Sequence, residues 1–300
     1  MKMQSCSRGL RELCRLLGYS PQAYYQYQKA LGKSVLEDDL LISQVLHHRV
    51  LQPKLGGRKL YAMMEQFMAA HHIVRGRDRL FDLLRENDLL NRKRRRSAPW
   101  TTDSNHWMKK YPDLIRDIVL SRSDELWVSD ITYIRLKINI FAYLSLVTDA
   151  YSRKIVGYHM NKDLTVDGPV AALAMALKGR TGNEPLIHHS DRGSQYCCED
   201  YTGLLKSAAI GISMTQSGDP RDNAIAERVN GILKQELLKE SYPHIINARE
   251  SVVKAVDIYN SVRLHSSIDM MTPDQAHAQT GLIERRWKSW HDRPCRNTMA

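Results

Sequence analysis

"LWVSDITYIRL", residues 126–136, alternates apolar and polar side chains and reads as a β-strand. The texture of the chain changes here. Downstream, "FAYLSLVTDA" (141–150) is a second strand and "YSRKIVGYHM" (151–160) turns into a third. "TVDGPVAALAMALKG" (165–179) is an alanine-rich amphipathic helix, and "PLIHHSD" (185–191) is a short apolar strand ending on an acid. "CCEDYTGLLKSAA" (197–209) is helical, "GISMTQS" (211–217) a strand and "DNAIAERVNGILKQE" (222–236) a helix. The order βββαβαβα predicts an α/β layer, a mixed five-stranded sheet with flanking helices. A further helix, "ARESVVKAVDIYNSV" (248–262), follows.

Asp130 interrupts the first strand among Trp127, Val128, Ile131 and Ile134. A carboxylate beside a core is costly unless something binds it. Asp191 ends the fourth strand, where open α/β sheets place their ligands. In 222–236, Ala226, Val229, Leu233 and Leu237 share one side of the helix, while Asn223, Glu227, Asn230 and Lys234 form a polar stripe opposite. If the first and fourth strands are neighbours and this helix leans over their ends, Asp130, Asp191 and Glu227 converge. Two or three carboxylates suffice for Mg²⁺, which keeps several waters. A pair of such ions about 3.5–4 Å apart suits in-line phosphoryl displacement. Each acid also has a plain structural reading, as a strand-end acid, a turn residue and a solvated helix residue. Asp149 ends a strand too, but "DAYSRK" reads as a hairpin turn and Asp149 is left out of the site.

The chain has 300 residues and a net charge of +11. The excess is lopsided: residues 1–125 carry 23 Lys+Arg against 14 Asp+Glu, and residues 126–300 carry 21 against 19. The bias peaks at "NRKRRR" (91–96) and suits a polyanion such as DNA. Residues 8–29 hold two short helical patterns at helix-turn-helix spacing, with Leu10, Leu13, Leu16 and Leu17 on one face, Ser20 as a cap and Pro21 opening the second helix. A plain helical hairpin has the same pattern. A second helical unit runs from Leu36 to Leu90, with Leu60, Met63, Met64 and Phe67 as core. Arg75, Arg77 and Arg79 read equally well as phosphate contacts or solvated charges. "SAPWTTDSNHWMKKYPD" (97–113) reads as a linker. Five cysteines without regular spacing argue against a disulfide framework, and the absence of any C-x-x-C argues against a zinc finger. His188–His189 and Cys197–Cys198 are expected to pack. No apolar run reaches the roughly 20 residues of a membrane span and no signal-peptide pattern opens the chain, which predicts a cytoplasmic protein. Composition and period alone give a nucleic-acid-binding α/β protein, with a metal-dependent nuclease as one form of it.

"WVSDITYI", "HHSDRGSQY", "SGDPRDNAIAERVNGILKQE" and "YNSVRLHSSI" resemble the DDE transposases with a retroviral-integrase-like core, in particular the OrfB-type product of insertion sequence family three. Asp191 and Glu227 have 35 residues between them, the spacing of that family's last two acids. The resemblance covers about 125–275. It implies an RNase H-like core, a catalytic triad of Asp130, Asp191 and Glu227 holding two Mg²⁺ ions (Mn²⁺ substituting), and a reaction that cleaves element 3′ ends and joins them to new DNA. It implies that Lys234 holds DNA near the cleaved end. Tyr259, Asn260, Arg263 and His265 match a downstream signature and are expected near the site. Asn230, Lys234, Arg263 and His265, with Arg92, Arg94 and Arg95 of the basic run, are the candidate DNA contacts. The partners implied are double-stranded DNA, further copies of the chain on that DNA, and an upstream OrfA-type product, because this chain lacks the heptad run of full transposases. The bacterial nucleoid is the expected location.

The expected organisation is a helix-turn-helix-like segment at 1–34, a second such module at 35–96, a linker at 97–124, the catalytic core at 125–245 and a C-terminal helix and tail at 246–300. Two other functions stand beside transposition: another RNase H-like nuclease, and a non-catalytic DNA-binding regulator that retains the core.

Overall fold

The computed structural model describes residues 9–91, 106–116, 118–137, 140–216 and 220–283. The chain divides into two compact units, one running to Arg92 and the other built from residues 93–300, with a three-residue exception at 52–54.

The first unit is all helical: α1 (Leu10–Leu16), α2 (Pro21–Leu51), α3 (Gly57–Ala70) and α4 (Arg77–Glu86). Gly18, at φ +74°, ends α1 in the left-handed conformation, and Ser20 Oγ accepts the amide of Ala23 to start α2. The core is Leu41, Val45, Leu60, Met64, Met68, Leu80, Leu83 and Leu84, so the methionine stripe is packing. Two expectations fail. The boundary at 34/35 falls inside α2, because Gly32 costs only about 1 kcal/mol in a helix and no proline or turn residue stops the run. Leu13, Leu16 and Leu17 are exposed, and Cys14 is the buried residue of α1. Arg75 and Arg79 both bind Asp38 of α2, at 3.1 and 2.7 Å, and Arg77 pairs with Asp78. Arg75 and Arg79 therefore brace the unit. The candidate contacts Arg92, Arg94 and Arg95 lie outside the described residues.

The second unit is built on one sheet of β1 (Leu126–Lys137), β2 (Ile140–Asp149), β3 (Ile155–Asn161), β4 (Ile187–Ser190) and β5 (Gly211–Met214), in the order β3-β2-β1-β4-β5. β2 lies antiparallel to β1 and β3; β4 lies parallel to β1 and β5. On one face pack α5 (Asp167–Gly179), α6 (Ser194–Cys197) and α7 (Glu199–Ser207), around Trp127, Leu173, Tyr201 and Leu205. α5 sits directly on β3 because Gly157 has no Cβ: one placed there would lie 2.1 Å from the carbonyl of Ala172. On the other face lie α8 (Ala224–Ile232) and α9 (Ile245–Ser261), around Leu144, Val229, Val252 and Tyr259; the short α10 (Pro273–His277) follows. This is the RNase H-like arrangement expected.

Two local expectations are corrected. The helix predicted for 222–236 has three parts, a 3₁₀ turn at Pro220–Asn223, α8, and a π turn at Leu233–Leu237 closed by Leu238 N–H donating to Leu233 O at 2.8 Å. α9, the expected C-terminal helix, packs into the core through Ala248, Val252, Ala255 and Val256. The described part of the expected linker is docked, too: Met108 and Tyr111 pack on the α5–α7 side, and Leu114 N–H donates to Ser213 Oγ at 2.9 Å. Asp149 is the turn residue it was expected to be. It is fully buried and accepts the amide and hydroxyl of Ser152 at 2.7 and 2.6 Å.

Candidate active site

β1 and β4 pair in parallel with Val128 opposite His189. Two residues further along β1 stands Asp130, on the face that α8 covers, and Asp191 follows the last residue of β4, near enough for its charge to act on Asp130. β4 ends at Ser190, so β1 loses its neighbour at Asp130 and leaves the open edge where α/β sheets bind ligands.

Both acids are held. Asp130 Oδ1 accepts the amide of Ile131 at 2.9 Å, and Asp130 Oδ2 accepts Asn230 Nδ2 at 2.8 Å. Asp191 Oδ1 accepts the amide of Gly193 at 3.0 Å. Burial, then the charge of Asp191, pushes the Asp130 carboxyl up to about 7, against the two donors; Glu227 adds a smaller push.

The polar stripe on and around α8 lies along β1, with two of its four residues buried there. Asn223 and Asn230 are buried, and Asn223 donates to the Ser129 carbonyl at 2.9 Å. Lys234 Nζ donates to Thr132 Oγ1 at 3.1 Å. Burial lowers the Lys234 pKa and the charge of Asp130 opposes this. Glu227 and Lys234 are the exposed members of the stripe. The structure thus brings Asp130 and Asp191 together with Asn230 and Lys234, and leaves Glu227 on the rim. Among the described residues no three His, Cys, Asp or Glu side chains are grouped closely enough to hold one ion. The three acids are near one another all the same, since the charges of Asp191 and Glu227 both act on Asp130. The donor set still fits a hard divalent ion: two neighbouring carboxylates, one half-buried with a raised pKa, at an open edge without thiolate ligands.

Beneath the acids is a buried polar layer that the sequence did not disclose. His188 Nε2 lies 2.7 Å from Ser129 Oγ and 2.9 Å from Tyr201 OH. Burial and then His189 push His188 down to about 3, so it is neutral. His189 bridges Ser213 Oγ and the Asp222 carbonyl at 2.9 and 3.1 Å, tying β4 to β5 and to the turn before α8. Adjacent histidines in an apolar strand were the available signal, and packing was the correct reading of them.

Arg263 and His265 are corrections. Both are buried: Arg263 is 1% exposed and grips Glu236 with two bonds of 2.8 Å. Its Nη1 lies 2.9 Å from His265 Nε2, and the His265 ring stands 4.8 Å from Tyr259. Asn260 clamps both backbone groups of Ile155 at 3.0 Å. The downstream signature fastens α9 to β3 and to the π turn and is not a DNA-facing surface. Asn230 likewise holds Asp130 from a buried position.

Residues 121–220 and 208–273 each match the integrase core domain family. Over 270 residues the chain is 32% identical to the insertion element IS600 uncharacterized 31 kDa protein of Shigella sonnei, a match covering 87% of this chain and 96% of that protein. The chain belongs to the insertion-sequence transposases with an integrase core. Against the transposase for insertion sequence element IS629 of Shigella sonnei, the identity is 33% over 162 residues, and the match covers 54% of each protein. Among solved structures, the HTLV-2 integrase catalytic core domain in complex with magnesium is 21% identical at a TM-score of 0.40, covering 52% of this transposase and 97% of that chain. A chain of the simian T-cell lymphotropic virus intasome is 18% identical at a TM-score of 0.46, covering 83% of this transposase and 78% of that chain. No helix of the described residues is long and apolar enough to cross a membrane.

Proposed function

We propose that this transposase cleaves the 3′ ends of its insertion element and transfers them to new DNA, with Asp130, Asp191 and Glu227 as the catalytic acids and two Mg²⁺ ions, or Mn²⁺ in their place, as cofactor. The observation that carries the reading is the β1/β4 register, which sets Asp130 beside Asp191 at an open sheet edge. When bound, the divalent ions activate the attacking oxygen and stabilise the leaving one. Asp130 and Asp191 would hold them, with Glu227 as the third ligand.

The chain's own residues do the rest. Asn230 and the Ile131 amide fix the Asp130 carboxylate, and the Gly193 amide fixes that of Asp191. Lys234 sets a positive charge beside Asp130, where it can hold a backbone phosphate of the element end. In cleavage, water attacks the scissile phosphorus and gives a proton to solvent, the bond to the 3′ oxygen breaks, and that oxygen takes up a proton from solvent as a 3′-hydroxyl. In transfer, that hydroxyl attacks a target phosphodiester, loses its proton to solvent, and displaces the target's 3′ oxygen. No covalent enzyme intermediate is needed.

Further copies of the chain and an upstream OrfA-type product are the proposed partners on DNA, with the bacterial nucleoid as the site of action. The helical unit and Arg92, Arg94 and Arg95 would contribute duplex binding. The test is cleavage of a duplex bearing the element's terminal sequence, with Mg²⁺ supplied. Asp191→Asn should bind that duplex and leave it intact. Cleavage by this variant at the parental rate would end the proposal.

A further inference from the structure

Arg192 follows Asp191 directly, and its side chain runs away from Asp130. Its Nη2 donates to Gln216 Oε1 at 3.2 Å, just past the end of β5. Its carbonyl oxygen lies 2.7 Å from His106 Nε2, so the backbone behind it is anchored. Its Nε is buried, with no acceptor among the described residues. Among the described residues no carboxylate pairs with this guanidinium, whereas Arg75, Arg79 and Arg263 all have carboxylate partners. Lys110 lies on the same flank: its charge and that of Arg192 both reach the Cys197 thiol.

Across the sheet edge the charges therefore run Lys234, Asp130, Asp191, Arg192. Lys234 is bound to Thr132 on β1, and Arg192 reaches the residue beyond β5. β1 and β5 are two strand steps apart, about 10 Å. That spacing of their anchors suits two separate phosphates, one for each cation. Arginine presents a planar fork that matches phosphate oxygens, and an N–H buried without an acceptor is a state that a bound anion relieves.

We propose that Arg192 is a DNA-binding residue that holds a backbone phosphate on the Asp191 side of the scissile bond, opposite the phosphate held by Lys234. The pair would fix the direction in which a strand crosses the acids. This deepens the transposase reading and rests on it.

The test uses the full-length chain and duplexes of the element's terminal sequence, each with one neutral methylphosphonate at a successive position around the cleavage site. The parent should show two sensitive phosphates, one on each side of the scissile bond. Arg192→Ala should raise KM about 10-fold or more and lose sensitivity at one of the two, while Lys234→Ala loses it at the other. Arg192→Lys keeps the charge and lacks the fork; it should keep that sensitivity and lose part of the affinity. If R192A melts below the assay temperature, R192K and Gln216→Ala carry the test. Gln216→Ala should weaken the same sensitivity by freeing the fork. An unchanged interference pattern in the folded variants overturns the clamp. If the parent cleaves and Asp191→Asn does not, that failure belongs to the clamp alone. If Asp191→Asn cleaves like the parent, the transposase reading itself fails.

Discussion

Asn230 donates its side-chain amide to Asp130 at 2.8 Å, across 100 residues of sequence, and so couples the helix that carries Glu227 to the strand that carries the first acid. This bond favours the charged carboxylate, against the burial and the Asp191 charge that push its pKa up to about 7. Replacing Asn230 by Ala should raise that pKa further. Cleavage at neutral pH should fall about 10- to 100-fold, as for other residues that orient metal ligands. The loss should shrink as pH rises, because alkali restores the carboxylate. A rate–pH profile for N230A with the parental midpoint would count against this role.

The same raised pKa has a consequence for stability. A carboxyl whose folded pKa lies above its unfolded value of 3.8 binds more protons folded than unfolded between those values. The folded state therefore loses stability as pH rises from about 4 to about 7, and the cost persists above that. Asp130→Asn should be more stable than the parent at pH 8 without divalent ions, by roughly 1–3 kcal/mol, and no more stable at pH 4. Mg²⁺ should raise the parental melting temperature and leave D130N nearly unmoved. Equal melting curves at pH 8 would show that Asp130 is not under this load.

Arg263 should behave as a structural residue. Its guanidinium is 1% exposed and depends on Glu236. Removing one partner of a buried ion pair strands the other, at about 3–5 kcal/mol. R263A should lower the urea midpoint sharply, while any folded fraction keeps parental DNA affinity and salt slope. A stable R263A with weakened DNA binding would restore the surface role expected from the sequence.

Bracing arginines of the helical unit are separable from the proposed duplex contacts Arg92, Arg94 and Arg95. Arg75 and Arg79 are engaged with Asp38, so Arg75→Ala should destabilise the unit without changing the salt dependence of DNA binding. Removing Arg92, Arg94 and Arg95 together should lower the salt slope by up to about 2.7, at 0.9 per phosphate contact. Fluorescence anisotropy against salt separates the two, and an unchanged slope in the triple variant would rule out phosphate contacts there.

Much of this architecture is legible in the residues. The βββαβαβα order, the two acids at strand positions and the 35-residue gap to Glu227 are local signals, and the topology follows from them. What stayed hidden depends on burial. Asn230, Arg263 and His265 are polar types that suit a DNA surface equally well, and only the packing of α8 and α9 turns them inward. Thr132 is an ordinary strand residue until Lys234 reaches it. The continuity of α2 was missed because the helical pattern was read as starting afresh at Leu36, although the one glycine before it, Gly32, does not end a helix that its neighbours favour. Glu227 was expected to converge with the other two acids; it lies on the exposed side of α8, near enough for its charge to act on Asp130.

The most direct test of the central claim is single-turnover cleavage of a terminal-sequence duplex by the parent and by Asp130→Asn, Asp191→Asn and Glu227→Gln, with DNA affinity measured alongside. The three variants should bind DNA like the parent and give no detectable 3′-end cleavage with either Mg²⁺ or Mn²⁺. Parental cleavage by any one of them would contradict the assignment of that acid, and parental cleavage by Asp191→Asn would contradict the whole account.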